Sequence, residues 1–428
     1  MIRVLIVIII LFYTNTVSAQ QEGIKFMKDL SWSQIKQKAK QENKYIFLDA
    51  YTTWCLPCRV MTNEIFPQPA VGNFFNTNFI NVAVQFDITK KDKEEIRAWY
   101  KDAKLLKSSY KIDSYPTYLF FNPQGDLIHT VIGASEKAED FLSKSKLALD
   151  PSTQYNVLKG QYESGNRSEG FLKGLFAAAQ LARDQKFIPT VGNAYLTTQN
   201  DLLLKENLII IEAATTKSSD PGFSVLRDYP EKFDAVVGIG KSSAKMKYIA
   251  YNELVFPQLR KDPTITEYGG GMVVYGGTVR DSVDWSGIKK NLDATYPKLA
   301  AEILLSGKIA YFESAKNWQD YVKSVEAYIP IYNGDINNWL NSCANTIFRE
   351  SEDRALLDIA LAWSKKTVAV EDMQYKMYFS NAYGNLLYKI GKKEEAISVF
   401  EEIRTYTKDK DGSYAALINK MKNGEKTW

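Results

Sequence analysis

Hydrophobic positions change their period along this chain near residue 150. Before that point, short apolar runs alternate with charged segments of helical spacing. Tyr45–Tyr51, residues 79–87 and Thr117–Phe121 read as buried strands rich in aromatic and aliphatic side chains. Ser31 and Gln34 have capping-box spacing and open a helix that runs to Gln41. Residues 59–66 and 91–108 have helical apolar spacing, the second through Ile96, Trp99, Tyr100, Leu105 and Leu106. Asn122-Pro123-Gln124-Gly125-Asp126 is turn chemistry. It leads into Leu127–Ile132, a hairpin partner that ends at Gly133. Residues 135–149 supply a last helix. Strand and helix thus alternate as in an α/β domain, taken here as residues 20–150.

After Asp150-Pro151 the strand signals fade, and 151–428 reads mainly as helices. Among them are 171–183, 202–214, 244–255, 299–314, 318–328 and 355–366. The end of the chain reads as a helical hairpin, 379–390 and 394–404, joined at Gly391-Lys392-Lys393. Gly384, Gly391, Ala396 and Phe400 fall at tetratricopeptide spacing, where small residues let helices approach and Phe400 fills the gap. Ile403 replaces the consensus alanine and the terminal proline is missing. This part therefore resembles a degenerate, tetratricopeptide-like α-solenoid. Residues 262–284 interrupt it with Tyr268-Gly269-Gly270-Gly271 and Tyr275-Gly276-Gly277. They lack the Lys-Ser/Thr of a phosphate-binding loop and read as a mobile surface loop or small hairpin.

The 428 residues suggest two or more domains. Lys and Glu are interspersed and the net charge is only +4, so no nucleic-acid partner is expected. The N-terminus reads as an export signal over residues 1–19. Met1-Ile2-Arg3 is basic, residues 4–13 are apolar, and Val17-Ser18-Ala19 offers small residues for cleavage before Gln20. The apolar run is short of the ~20 residues a spanning helix needs. Export implies an oxidising compartment, yet the chain has only 3 cysteines, so disulfides are not its structural staples. Cys343 lies in a helical pattern and reads as a buried, inert thiol. His129, the only histidine, reads as a solvent-facing strand residue, and no metal site is expected around it.

The remaining two cysteines stand together in Trp54-Cys55-Leu56-Pro57-Cys58, directly after an apolar strand. Thiols at this spacing can close a disulfide across the first turn of a helix and exchange electrons with another disulfide. Alone, the pair could equally be half of a zinc site. Asp49 six residues before Cys55, Pro116 before a strand that faces a hairpin, and Gly133 after that hairpin narrow the choice. Together with Trp54 they resemble the thioredoxin family over roughly the first third of the chain. The fold implied is an α/β thioredoxin-like domain followed by an all-α helical repeat domain.

The resemblance implies roles. Cys55 would be the attacking thiol, with its pKa lowered at a helix start. Cys58 would resolve the mixed disulfide. Asp49 would be a buried proton acceptor. Trp54, Tyr115 and Pro116 would bind substrate, and the isomer of the Tyr115–Pro116 bond is left open. No cofactor beyond the redox-active disulfide is implied. There are departures: Tyr115 replaces a small or β-branched residue, Leu56-Pro57 replaces Gly-Pro, and residues 79–86 lack the lysine that often partners the aspartate.

The expected function is that of an exported thiol–disulfide oxidoreductase, reducing or isomerising disulfides of envelope proteins in the periplasm of a Gram-negative bacterium. An electron donor, membrane-bound or soluble, would serve it. The helical domain would position substrate or partner, and its dimerisation is left open. Two other readings stand beside this one. One is a non-catalytic envelope adaptor or chaperone with a peptide-binding groove. The other is a cytochrome-maturation or metal-handling thiol protein.

Overall fold

Four strands assemble into one sheet in a computed structural model that describes residues 23–267, 273–332 and 334–428. The expected export signal, residues 1–19, lies outside the described residues. Helix α1 (Trp32–Glu42) starts at the expected capping box, with Ser31 accepting from the Gln34 N–H and Gln34 accepting from the Ser31 N–H. Then come β1 (Tyr45–Tyr51), α2 (Leu56–Val60), α3 (Pro69–Asn78) and β2 (Phe79–Gln85). After α4 (Glu94–Ala98) and α5 (Tyr100–Tyr110) follow β3 (Thr117–Phe121), β4 (Leu127–Ile132) and α6 (Ala138–Lys146). The sheet order is β2-β1-β3-β4. β1 pairs parallel with β2 and antiparallel with β3, and β3 with β4 is the expected hairpin.

The strands are apolar throughout because both faces are covered. Ile46, Leu48 and Ala50 pack with Ile35 and Ala39 of α1 and with Ala103 and Leu106 of α5. Phe47 packs on the opposite face with Met61, Ile65, Phe75, Phe141 and Tyr118. The alternation along β1 puts Asp49 on the face of Phe47, under the helix that begins at the cysteines.

Three local expectations are corrected. Residues 59–66 are not one α-helix: α2 runs into a π-helical turn, Met61–Ile65. Residues 91–108 are not one helix either. The buried Trp99 separates α4 from α5, and the chain before α4 is folded around Asp92. Its carboxylate accepts from Thr89 Oγ1 at 2.6 Å, Thr89 N at 2.8 Å, Tyr100 Oη at 2.6 Å and Gln85 Nε2 at 3.1 Å. These bonds, Thr89's first, hold its pKa well below the ordinary carboxylate range.

The third correction concerns His129, which is buried rather than solvent-facing. Beyond residue 150, α7 (Tyr155–Glu163) packs on β4, the edge strand of the sheet. His129 Nδ1 accepts the Tyr155 N–H at 3.0 Å, at the start of that helix. Burial drives the imidazole pKa down to about 4, against a smaller opposing effect of the Lys144 backbone.

The chain from Tyr155 onward is largely helical. The whole chain divides into two compact units, one holding the sheet and reaching to Thr215 with Asp220–Val225, the other comprising Thr216–Ser219 and Leu226–Trp428. The helices α7, α8 (Glu169–Leu181), α9 (Ile188–Leu196) and α10 (Lys205–Ala214) thus belong with the sheet. In the second unit, β5 (Arg260–Glu267) and β6 (Val273–Val279) form an antiparallel hairpin in the glycine-rich segment, whose residues 268–272 lie outside the described ones. Gly277, at φ 101°, sits at its irregular register, where a Cβ would meet the Lys261 carbonyl at 2.7 Å.

Helices Met373–Lys389 and Lys393–Thr407 form the expected C-terminal hairpin. A Cβ on Gly384 would lie 2.7 Å from the Phe400 ring, so the glycine is what lets that ring seat. Cys343 is buried and free, and burial pushes its thiol up to about 11.

Candidate functional site

Cys55 and Cys58 are joined by a disulfide, with Cα atoms 5.3 Å apart. The geometry follows from where β1 ends. The strand delivers Tyr51, the chain turns through Thr52 and Thr53, and Cys55 becomes the N-cap of α2 with Pro57 in the first turn. Proline suits that place because no intrahelical acceptor awaits its missing N–H. Cys55 Sγ accepts the Cys58 N–H at 3.1 Å, so the sulfur occupies a capping position. Both cysteines are buried, whereas their neighbours Trp54 and Leu56 are each 66% exposed. Two large apolar side chains thus lie open to a partner beside a shielded disulfide.

Tyr115 and Pro116 lie on the loop before β3, and the peptide bond between them is cis. The Tyr115 ring meets Trp54 edge-on at 5.8 Å and Phe86 at 5.9 Å. Gly133 donates its N–H to the Pro116 carbonyl at 2.9 Å and has φ 100°, a left-handed conformation that favours glycine. The next turn is tied to the cysteine helix, since Ser135 donates its N–H to Met61 Sδ at 3.3 Å. Residues from three separated segments thus form one surface around Trp54.

Asp49 pairs in register with Ala83 and Tyr118 and is buried at 3% exposure. Among the described residues its Oδ1 has no hydrogen-bond partner. Burial raises its pKa to about 7. No hydrogen bond joins it to either sulfur. Its negative form also pushes up the buried Tyr118 phenol, behind the larger effect of that phenol's own burial. A carboxyl group that titrates near neutrality can take and release a proton at working pH.

Of the six expected site residues, the structure brings Cys55 to Cys58 and Trp54 to Tyr115. Pro116 is adjacent to the pair, and Asp49 lies on the sheet face below. Two contributors carried no motif. Asp87 accepts from Thr53 N at 2.9 Å and from Thr53 Oγ1, fastening the turn before the cysteines. Phe86 extends the aromatic wall behind Tyr115. Both follow the second strand, and only the parallel pairing of β1 with β2 sets them beside the motif. Among the described residues no three His, Cys, Asp or Glu side chains gather as a metal-binding group.

Residues 33–147 match a protein family described as a thioredoxin-like domain. Thioredoxin H4 of Arabidopsis thaliana is 26% identical over 113 residues, 26% of this chain and 78% of that protein. The thiol:disulfide interchange protein DsbD of Photorhabdus laumondii is 26% identical over 116 residues, 27% of this chain and 18% of that protein. A solved DsbH oxidoreductase matches at 24% identity with a TM-score of 0.26, over 30% of this chain and 87% of that one.

Proposed function

Residues 33–147 are a domain of the thioredoxin family, and on that premise we propose that the protein reduces or isomerises disulfides of exported proteins. The observation that carries this is the Cys55–Cys58 pair capping a helix beside the exposed Trp54 and the Tyr115 ring. In the reduced protein the Cys58 N–H would favour a thiolate on Cys55. That thiolate attacks one sulfur of the substrate disulfide, forms a mixed disulfide and releases the other sulfur as a thiolate. Asp49 accepts a proton as Cys58 ionises. The Cys58 thiolate then attacks Cys55 Sγ, closes the internal disulfide and releases the second substrate thiol. Two electrons pass to the substrate, and a dithiol donor must return them before the next turnover.

The DsbD relative, a thiol:disulfide interchange protein, and the thioredoxin relative both support exchange chemistry here. The pattern of residues 1–19 supports export, most simply to a Gram-negative periplasm. The helical region would hold the substrate or the donor.

Equilibrating the protein with glutathione or dithiothreitol buffers tests the direction. A potential near ~−270 mV makes it a reductant, and one of about −120 to −180 mV makes it an oxidant or isomerase. Cys55→Ser should abolish reduction of a model disulfide, and Cys58→Ser should accumulate the mixed disulfide. A pair that does not exchange at all would remove the redox reading and leave the adaptor.

A further inference from the structure

The aromatic and cis-proline surface does not end at the thioredoxin-like domain. Gly133, whose N–H is bonded to the Pro116 carbonyl, has a side chain from the helical extension lying on it. A Cβ at Gly133 would fall 2.6 Å from Arg183 Nη2 and 3.0 Å from Arg183 Cζ. The guanidinium therefore covers the glycine's open face. The contacts run in an unbroken order: Trp54 to Tyr115, Pro116 to Gly133, Gly133 to Arg183.

The backbone at Arg183 is set by its own turn. It follows the C-terminus of α8 at φ 46°, a left-handed conformation unusual for a side-chain-bearing residue. Its neighbour Asp184 anchors that turn, accepting from Tyr155 Oη at 2.6 Å, Lys159 Nζ at 2.7 Å and Phe187 N at 3.1 Å. The carboxylate nearest in sequence is thus already engaged by other groups. Among the described residues the Arg183 guanidinium has no ion pair or side-chain hydrogen bond, and it is exposed. A planar cation with several N–H donors remains at the edge of the surface beside the disulfide. The other end differs in sign, since the charged groups acting on Tyr115 are Asp87 and Asp113.

We propose that Arg183 is a specificity-determining residue for disulfide exchange, pairing with a carboxylate on the polypeptide segment that presents its cysteine to Cys55. This rests on the oxidoreductase reading and adds a substrate class: disulfides flanked by acidic residues. An extended segment that meets Trp54 and Tyr115 and continues past Pro116 reaches Gly133 and then the guanidinium. The pairing is partly shielded by the docked segment, and such charge-assisted contacts contribute to recognition more than fully exposed pairs do.

The test uses the whole protein and two synthetic peptide disulfides, identical except that one has glutamate and the other glutamine beside the cysteine. The wild type should reduce the acidic peptide roughly three- to fivefold faster in kcat/KM, a preference that shrinks with added salt. In Arg183→Gln the ratio should fall to about one, in Arg183→Glu it should invert, and Arg183→Lys should restore part of it. A merely structural role for Arg183 would slow both peptides alike and leave the ratio unmoved, which overturns the assignment. Equal rates for the two peptides with the wild type also overturn it while leaving the oxidoreductase reading intact. If neither peptide is reduced by the wild type, both fall.

Discussion

The sheet around the disulfide and the helical hairpin at the C-terminus are both densely packed, but they treat polar groups in opposite ways. Between 372 and 407 no buried side-chain oxygen or nitrogen among the described residues lacks a partner. Asp372 caps its helix through the Gln374 and Tyr375 N–H groups, and Lys376 meets Glu402 at 3.2 Å on the surface. Around the disulfide, Asp49 Oδ1, Thr52 Oγ1 and Tyr118 Oη are buried without partners among the described residues. Buried polar groups left unpaired lower stability. The hairpin thus carries no such cost between 372 and 407, whereas the sheet keeps a buried carboxyl group whose pKa is raised to about 7, at a cost in stability.

The largest loss of stability should come from emptying the hairpin. Phe400 is fully buried, and Phe400→Ala should lower unfolding stability by about 4 kcal/mol. Disulfide exchange with a small substrate should persist in that variant. Chemical denaturation of both proteins measures the loss, and a change below about 1 kcal/mol would mean that the ring is not the element joining the two helices.

At Asp49 the sign should reverse. Its folded pKa, about 7, lies above the ordinary carboxylate value of 3.8. Below 3.8 both folded and unfolded chains are protonated there, so the group has no net effect. As pH rises from 3.8 to about 7, the unfolded chain ionises first and the folded state loses stability. Above that window the cost is complete, at roughly 4 kcal/mol for a shift of about three pH units. Asp49→Asn should therefore stabilise the protein above pH 7 and slow exchange, as removal of a proton acceptor requires. Parallel stability–pH curves for wild type and variant would show that Asp49 is not held neutral by burial.

His129 offers the smaller and cleanest check. Its folded pKa, about 4, lies below the ordinary 6.5. Above 6.5 neither state is charged, and stability is lost as pH falls from there to about 4, by roughly 3 kcal/mol. The chain has 1 histidine, so its imidazole protons can be followed by NMR without assignment. An apparent pKa near 6.5 would mean that α7 does not seal the sheet edge.

Most of the sheet was legible because strands covered on both faces are written as unbroken apolar runs, and the turn at residues 122–126 and the Ser31 cap have local signatures. The cysteine pair was legible for the same reason: its meaning depends on a strand before it and a helix after it. His129 was misread because a polar residue on a hairpin strand reads as exposed unless a later helix covers it, and nothing local announces α7. The break at Trp99 was hidden because the charged, helical spacing of 91–108 continues through it, while the Asp92 bonds that set the loop come from Gln85, Thr89 and Tyr100 together.

Strands β1–β4, the β3–β4 hairpin, the C-terminal helical hairpin, the cysteine pair and the close seat of Phe400 on Gly384 are all written in the sequence. Each of these is a matter of spacing within a few residues or of one side chain matched to a glycine. It took the tertiary structure to show that Tyr115 meets Trp54, that α7 buries His129, and that Arg183 reaches Gly133 from the turn after α8. Those placements join residues distant in the chain. They depend on which face a strand turns and which edge a later helix covers, and no local pattern encodes either.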